Sequence, residues 1–229
     1  MGFLPLKKIM DGYHFRLAGA NLIALGSGAL YWPEKELLCV SDLHLGKSSR
    51  LSRQGGPLLP PYEVQDTLYR LETEIILSAA KTIVCLGDSF DDVEAASSLL
   101  DDEVLWLSRL QAGRCWVWIE GNHDPGQANI GGTHIENFNI PPLTFRHIPT
   151  VSQRREVAGH YHPKAQINLS GRNYSKPCFL LDEDRVVLPA FGTFTGGLKT
   201  QTVELLQLMK PNALAILTGK QSRAIPMPR

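Results

Sequence analysis

A chain of 229 residues, 43% hydrophobic and 20% charged, has the make-up of an ordinary globular protein and can bury a sizeable core without disulfides. Its 23 basic and 23 acidic residues cancel, which excludes nucleic-acid binding through bulk charge but leaves room for a local basic rim. The mildly apolar stretch 17–30 is shorter than a membrane span, contains Gly19, Asn21, Gly26 and Ser27, and follows Asp11, His14 and Arg16. It therefore reads neither as a span nor as the core of a signal peptide. Four scattered cysteines, Cys39, Cys85, Cys115 and Cys178, form no close pair; three sit in apolar runs and read as buried free thiols. A reducing, cytoplasmic setting follows.

Residues 1–10 read as a short lead-in, followed by strand-like runs at 15–17 and 21–25 and a turn or strand edge at Tyr31-Trp32-Pro33. The run 37–40 is a short apolar strand ending in Ser41-Asp42-Leu43-His44, with a glycine- and proline-rich loop at 55–61. Val64, Leu68, Leu71, Ile75 and Ala79 recur every three or four residues and predict an amphipathic helix. The next strand, 82–86, closes on Gly87-Asp88. A second helix is marked by Leu100, Val104, Leu107 and Leu110, with Gly113 as its stop, and a third strand, 115–119, closes on Gly121-Asn122-His123-Asp124. Strand, helix, strand, helix, strand predicts parallel strands joined by crossover helices.

The second half changes character. Short strands are expected at 143–146, 156–158, 165–168, 178–181 and 186–188, then a helix over 203–209 and a final hairpin of 213–217 with 223–225. These later strands need not be parallel. No repeat, linker or low-complexity tract divides the chain, so 1–229 is read as one domain.

Asp42, Asp88 and Asn122 all stand at or just beyond the ends of apolar strands, and in an open α/β sheet those ends gather along one edge, where ligand sites form. Asp42 and His44 are two apart, so an extended chain sends both to one side. Asp88 has two oxygens with which to bridge two cations, and Asn122 adds a neutral oxygen suited to a hard or borderline divalent ion. Gly159-His160-Tyr161-His162 repeats the two-apart spacing with imidazoles, and His147 follows another apolar strand. Each motif alone is weak. In this order, beside successive strand ends, they supply two coordination spheres, and a pair of cations about 3.5–4 Å apart suits in-line phosphoryl transfer.

The same motifs, Asp42-Leu-His44, Gly87-Asp88-Ser-Phe-Asp91, Gly121-Asn122-His123-Asp124, His147 and Gly159-His160-Tyr-His162, resemble the signature blocks of the calcineurin-like metallophosphoesterases, spread over 42–162. The resemblance implies an α/β four-layer fold, two mixed β-sheets packed face to face and flanked by helices. It places Asp42, His44, Asp88 and His162 on a first metal and Asp88, Asn122, His147 and His160 on a second. His123 becomes a catalytic group near the substrate phosphate, oriented by a carboxylate such as Asp91. His134, expected in a loop near the third block, competes with His147 for the remaining ligand place, with His147 favoured. Carboxylate, imidazole and amide ligands suit Mn²⁺, Fe and Zn²⁺ alike, and Mn²⁺ is the working choice.

Within the family, Asp42-Leu-His-Leu-Gly-Lys47, Arg53-Gln-Gly-Gly, Leu59-Pro-Pro61, Arg146-His147-Ile-Pro149, Gly159-His-Tyr-His-Pro163 and Pro189-Ala-Phe-Gly-Thr-Phe-Thr-Gly-Gly197 resemble the bacterial ligase-associated DNA-damage-response endonucleases. That resemblance implies hydrolysis of a phosphodiester in DNA by in-line attack of metal-bound hydroxide, alongside a DNA ligase and a helicase as functional partners. Lys47, Arg50 and Arg53, just after the first motif, are candidates for holding a substrate phosphate. The zero net charge keeps small-molecule or nucleotide phosphodiesterase and phosphomonoesterase readings open, pyrophosphohydrolase among them. A non-catalytic metal-binding scaffold for protein contacts is the reading from another class. Oligomeric state has no sequence signal.

Overall fold

The structure, a computed structural model, describes residues 11–56, 59–92, 94–124 and 130–229. The lead-in expected at 1–10 and positions 57 and 58 of the glycine- and proline-rich loop lie outside the described residues.

Seven strands form the first sheet in chain order: β1 (Gly12–Leu17), β2 (Ala20–Leu25), β3 (Leu30–Trp32), β4 (Leu37–Val40), β5 (Thr82–Leu86), β6 (Cys115–Ile119) and β7 (Thr133–Ile135). The pairings from β1 to β4 are antiparallel and those from β4 to β7 parallel. The parallel half is made by crossovers through α2 (Glu63–Ser78) and α3 (Asp101–Gln111), as the sequence pattern predicts. A shorter helix, α1 (Lys47–Arg53), precedes them.

The second sheet runs in the order β15 (Arg223–Pro226), β14 (Leu214–Leu217), β12 (Arg172–Leu181), β13 (Arg185–Val187), β10 (Glu156–Ala158), β9 (Leu143–Arg146) and β8 (Asn137–Ile140), with β11 (Lys164–Leu169) paired to β12. Only β10 is flanked by parallel neighbours, β9 and β13. One short helix, α4 (Val203–Leu208), covers its outer face.

Alternation along the strands builds the layers. In β4, Leu37 and Cys39 point between the sheets, where they join Val84, Leu86, Val117 and Ile119 against Leu143, Phe145, Val157, Phe179 and Ile216 of the second sheet. Leu38 and Val40 point the other way, joining Ile83, Cys85, Trp116 and Trp118 under Val64, Leu68, Leu71 and Ile75 of α2 and Leu107 and Leu110 of α3. Buried on both faces, β4, β5 and β6 read as continuous apolar runs. A third cluster joins the second sheet to α4 through Cys178, Leu180, Val187, Leu205 and Leu208. The fold is therefore four layers, helix, sheet, sheet, helix, with two mixed sheets face to face.

Several local expectations are corrected. Tyr31-Trp32 belongs to an interior strand, because β3 is paired on both sides by β2 and β4. The basic segment after the first motif is the helix α1, entered through Gly46 in the left-handed region (φ 83°) and burying none of its residues. His134 lies on β7, paired with Trp118 of β6. Cys115 opens β6 exposed, whereas Cys39, Cys85 and Cys178 are buried; all four are free thiols.

Candidate metal centre

The parallel strands of both sheets end along one edge of the interface between them. Asp42 lies two residues beyond β4, Asp88 two beyond β5, Asn122 three beyond β6, His147 one beyond β9 and His160 two beyond β10. Backbone bonds hold these turns together: the N–H groups of Asp42 and His44 donate to the carbonyls of Gly87 and Asp88 at 3.3 and 2.9 Å, and Gly159 N–H donates to His147 O at 3.0 Å. The glycine-rich segment after the second sheet joins them, with Phe191 N–H donating to Ser41 O (2.7 Å) and Gly192 N–H to Asp42 O (3.1 Å).

The turns are sharp enough to force unusual backbone. Asp42, His44, Asp88, His160 and His162 all adopt positive φ, between 44° and 71°. Left-handed conformations cost a non-glycine residue about 1–3 kcal/mol each and persist where surrounding structure over-determines them, typically at functional sites. Gly121 and Gly159 permit the close approach. A Cβ at Gly121 would stand 2.1 Å from Asp88 N, and one at Gly159 would stand 1.8 Å from Ser41 Oγ.

Two groups of metal-ligand type result: Asp42 with His44 and His162, and Asp88 with His147 and His160, each with one ligand atom per residue and all three atoms within 4.8 Å of one another. That spread fits ligands about 2.0–2.4 Å from a common centre. In the first group His162 Nε2 is 2.9 Å from Asp42 Oδ1, yet neither atom has an aligned hydrogen-bond partner among the described residues, and nor does His44 Nε2. Buried polar atoms left this way are costly unless something between them completes their bonding. A cation would.

In the second group, His147 Nδ1 faces the Leu86 carbonyl at 2.8 Å, which makes it a protonated nitrogen and leaves Nε2 as the atom that faces the centre. Around that Nε2 lie Asn122 Oδ1 (3.0 Å), His160 Nδ1 (3.2 Å) and Asp88 Oδ2 (3.3 Å). Four atoms of metal-ligand type thus converge on one point, where a cation would replace the proton that the carboxylates of Asp88 and Asp42 favour on His147. The residues present therefore fit two divalent cations, a dinuclear centre. His134, by contrast, stacks on Trp118 with ring centroids 6.2 Å apart, outside both groups.

Electrostatics agree. Burial pushes the Asp88 carboxyl upward, but the bond with His147, its charge and the His123 N–H outweigh this and hold it down at about 2. Asp42 and Asp91 are likewise lowered against burial, the first by His162 and His147, the second by His44 and Arg50. The site thus presents ionised oxygens in a dry setting, as a cation requires.

Asp91 is buried and is taken up by neighbours: Oδ1 lies 2.8 Å from His44 Nδ1, and Oδ2 accepts from Arg50 Nε. It therefore stands as the charge partner of the His44 ring rather than touching His123 in any observed bond. His123 is exposed, its N–H fixed by Asp88 Oδ1 at 2.9 Å and its ring edge-on to His44, centroids 5.5 Å apart. Of the three candidate phosphate-holding cations, Arg50 is bound by Asp91, and Arg53 by Asp92 (2.6 Å) and Glu94 (3.5 Å). Lys47 has no ion-pair partner among the described residues.

Two supporting residues escaped the sequence reading. Asp124 ties the second and third turns together: Oδ2 accepts from Ser89 N–H (2.7 Å) and Phe90 N–H (3.1 Å), and Oδ1 from Gly121 N–H (3.1 Å). Burial and the charge of Asp88 push its carboxyl up to about 6. Ser41 Oγ donates to Asp42 Oδ2, beside the His160 N–H at 3.1 Å. Asp124 closes a four-residue turn motif, so its role had a signal; Ser41 had none beyond adjacency.

Among solved structures, the chain is similar to the nuclease MPE of Pseudomonas putida, with a TM-score of 0.72 and 25% identity over 94% of this chain and 100% of that one. It also matches Yfce, a phosphoesterase from E. coli, at a TM-score of 0.40 and 13% identity over 84% of this chain and 99% of that one, too distant a likeness to add weight. No family model matches the chain, and no curated protein does. Four layers, two ligand groups where parallel strands of both sheets end, and a likeness running the length of a bacterial nuclease lead to one conclusion: the chain has the calcineurin-like metallophosphoesterase fold.

Proposed function

We propose that the chain is a metal-dependent phosphodiesterase that cleaves DNA as an endonuclease. The observation that carries this reading is the pair of facing groups, Asp42–His44–His162 and Asp88–His147–His160, with His123 exposed beside them. Similarity to the P. putida nuclease supports the polymeric substrate. The resemblance in sequence alone supports association with a DNA ligase and a helicase. The free thiols support a cytoplasmic location, and among the described residues no helix is long and apolar enough to cross a membrane.

Asp42, His44, Asp88 and His162 would hold one cation, and Asp88, Asn122, His147 and His160 the other, with Mn²⁺ favoured over Fe or Zn²⁺. Such a pair, when bound, supplies Lewis-acid charge at the phosphoryl oxygens and lowers the pKa of water. The chain's own part is orientation and proton traffic. Leu86 O keeps a proton on His147 Nδ1, Asp91 is the charge partner of the His44 ring, and Asp124 keeps the Asp88 and Asn122 turns in register. His123, exposed on a backbone fixed by Asp88, is the group that meets the leaving oxygen and gives it a proton.

One panel tests the reading: an aryl phosphomonoester, an aryl phosphodiester, cyclic nucleotides, and single- and double-stranded DNA, each with Mn²⁺ and after chelation. Diester and DNA turnover lost on chelation and restored by Mn²⁺ is the expected result, with Asn122→Ala folded but inactive. Monoester turnover far above diester turnover would reject the substrate assignment, and full activity after rigorous metal removal would reject the mechanism. The neutralised Arg50 and Arg53 favour a second reading, a small nucleotide diester as substrate, which the same panel separates.

A further inference from the structure

A cavity of about 570 Å³ opens beside the metal centre, on the side of the glycine-rich segment 189–197, with His162 in its wall. Its volume suits a nucleotide-sized ligand. Lys164 and Lys176 also line it. Lys164 Nζ donates only to the Thr195 carbonyl, at 3.2 Å, and Lys176 is exposed; neither is paired with a carboxylate among the described residues. Asp66, the acidic residue of the lining, accepts from Thr193 Oγ1 at 2.5 Å and is balanced by Arg70, which also lines the cavity and donates to the Phe191 and Ser27 carbonyls at 2.9 and 3.0 Å. At the rim, Phe194 holds a left-handed backbone (φ 60°), is 42% exposed and lies 5.9 Å from the ring of Tyr62, itself 53% exposed.

The contrast with α1 decides where the substrate's remaining charge goes. There Arg50 and Arg53 are quenched by Asp91, Asp92 and Glu94. Here two ammonium groups without a carboxylate partner among the described residues and the exposed ring of Phe194 line a space walled by a residue of the metal centre. We infer that this cavity binds the nucleotide flanking the scissile phosphodiester, its phosphate held by Lys164 and Lys176 and its base stacked on Phe194. The inference rests on the phosphodiesterase reading above and names the subsite that would make the site select a polynucleotide strand.

The test measures kcat and KM of the Mn²⁺-loaded protein with bis(4-nitrophenyl) phosphate and with a single-stranded oligonucleotide, over a range of salt. In K164Q/K176Q the oligonucleotide KM should rise about tenfold relative to that of the aryl diester. Its dependence on log salt should flatten by about 0.7, the contribution of one neutralised phosphate on a single strand. Phe194→Ala should raise the same KM by about tenfold without changing the salt slope, since stacking carries no counterion release. A matched loss of two charges at the opposite end of the sheet, K35Q/K81Q, should change neither quantity. If the aryl diester is hydrolysed but K164Q/K176Q treats the oligonucleotide as the unmodified protein does, the subsite is wrong. If the unmodified protein does not hydrolyse the aryl diester at all, the phosphodiesterase reading falls and takes the subsite with it.

Discussion

Replacing Gly121 by alanine should separate the positioning of the centre from its chemistry. The added Cβ would lie 2.1 Å from Asp88 N, 2.2 Å from Asp88 Oδ1 and 2.5 Å from Asp124 Oδ1. Ordinary contact begins at about 3.4 Å, so the turns after β5 and β6 must part by about 1.3 Å. The nearest atom is backbone and the next two are carboxylate oxygens held by the N–H groups of His123 and Gly121, so no free side chain can swing away to absorb the overlap. Overpacking of this kind costs about 1–3 kcal/mol, or about 2–12 °C in melting temperature for a chain of this size. The larger effect is kinetic: a displacement of about 1 Å in a catalytic arrangement costs about 100-fold in rate. Gly171→Ala is the control, because Gly171 has positive φ (77°) but nothing within 4 Å of its Cβ, and so carries strain without collision at a turn remote from the centre. Thermal melts followed by turnover of an aryl diester with Mn²⁺ report both terms. Gly121→Ala turning over at the unmodified rate would refute the claim that this turn fixes Asp88.

Other outcomes can be measured on the same material. His147→Ala should lose about 100-fold or more in kcat, while His134→Ala, remote from both ligand groups, stays close to unmodified; the reverse order would reassign the ligand. In the native state one thiol, Cys115, should react promptly with a thiol reagent, and all four after denaturation. Burial raises the Glu63 carboxyl above its ordinary value despite two bonds from Ser48, so the folded state holds its proton to higher pH than the unfolded chain. Its ionised form therefore costs stability, a cost absent below the unfolded pKa that builds as pH rises from there and is complete above the folded one. The melting temperature of Glu63→Gln relative to the unmodified protein should accordingly be more favourable at pH 8 than at pH 4; equal differences at the two pH values would refute it.

Much of the centre was legible because the parallel strands announce themselves. β4, β5 and β6 are buried on both faces, so their sequences are unbroken apolar runs, and the functional residues follow where each run stops. α2 was equally plain from Val64, Leu68, Leu71 and Ile75. α1 was not, because Lys47–Arg53 buries nothing and shows no apolar period; its partners are distant, Glu63 accepting from Ser48 and Asp91 from Arg50. The same distance hid the fate of the basic cluster. Lys47, Arg50 and Arg53 look like a free patch in sequence, and only folding brings the acids of 91–94 against two of them. Cys115 was misread because one apolar run can begin in solvent and end in the core. The left-handed backbone of the ligand residues left no trace either, since Asp and His, unlike glycine, do not advertise it.

The placement of the centre across the two sheets has a mechanical consequence. Asp42, Asp88 and Asn122 come from the first sheet, and His147, His160 and His162 from the second. Bound cations would then act as a clasp, fastening two slabs that otherwise meet through greasy contacts such as Leu86, Phe145 and Phe179 and a few hydrogen bonds such as His147 to the Leu86 carbonyl. A change deep in that seam, with no ligand touched, would slide one set of donors past the other and detune the centre from behind. Loading with metal should in turn lock the slabs, so that slower amide exchange spreads from the strand ends at the site into both sheets.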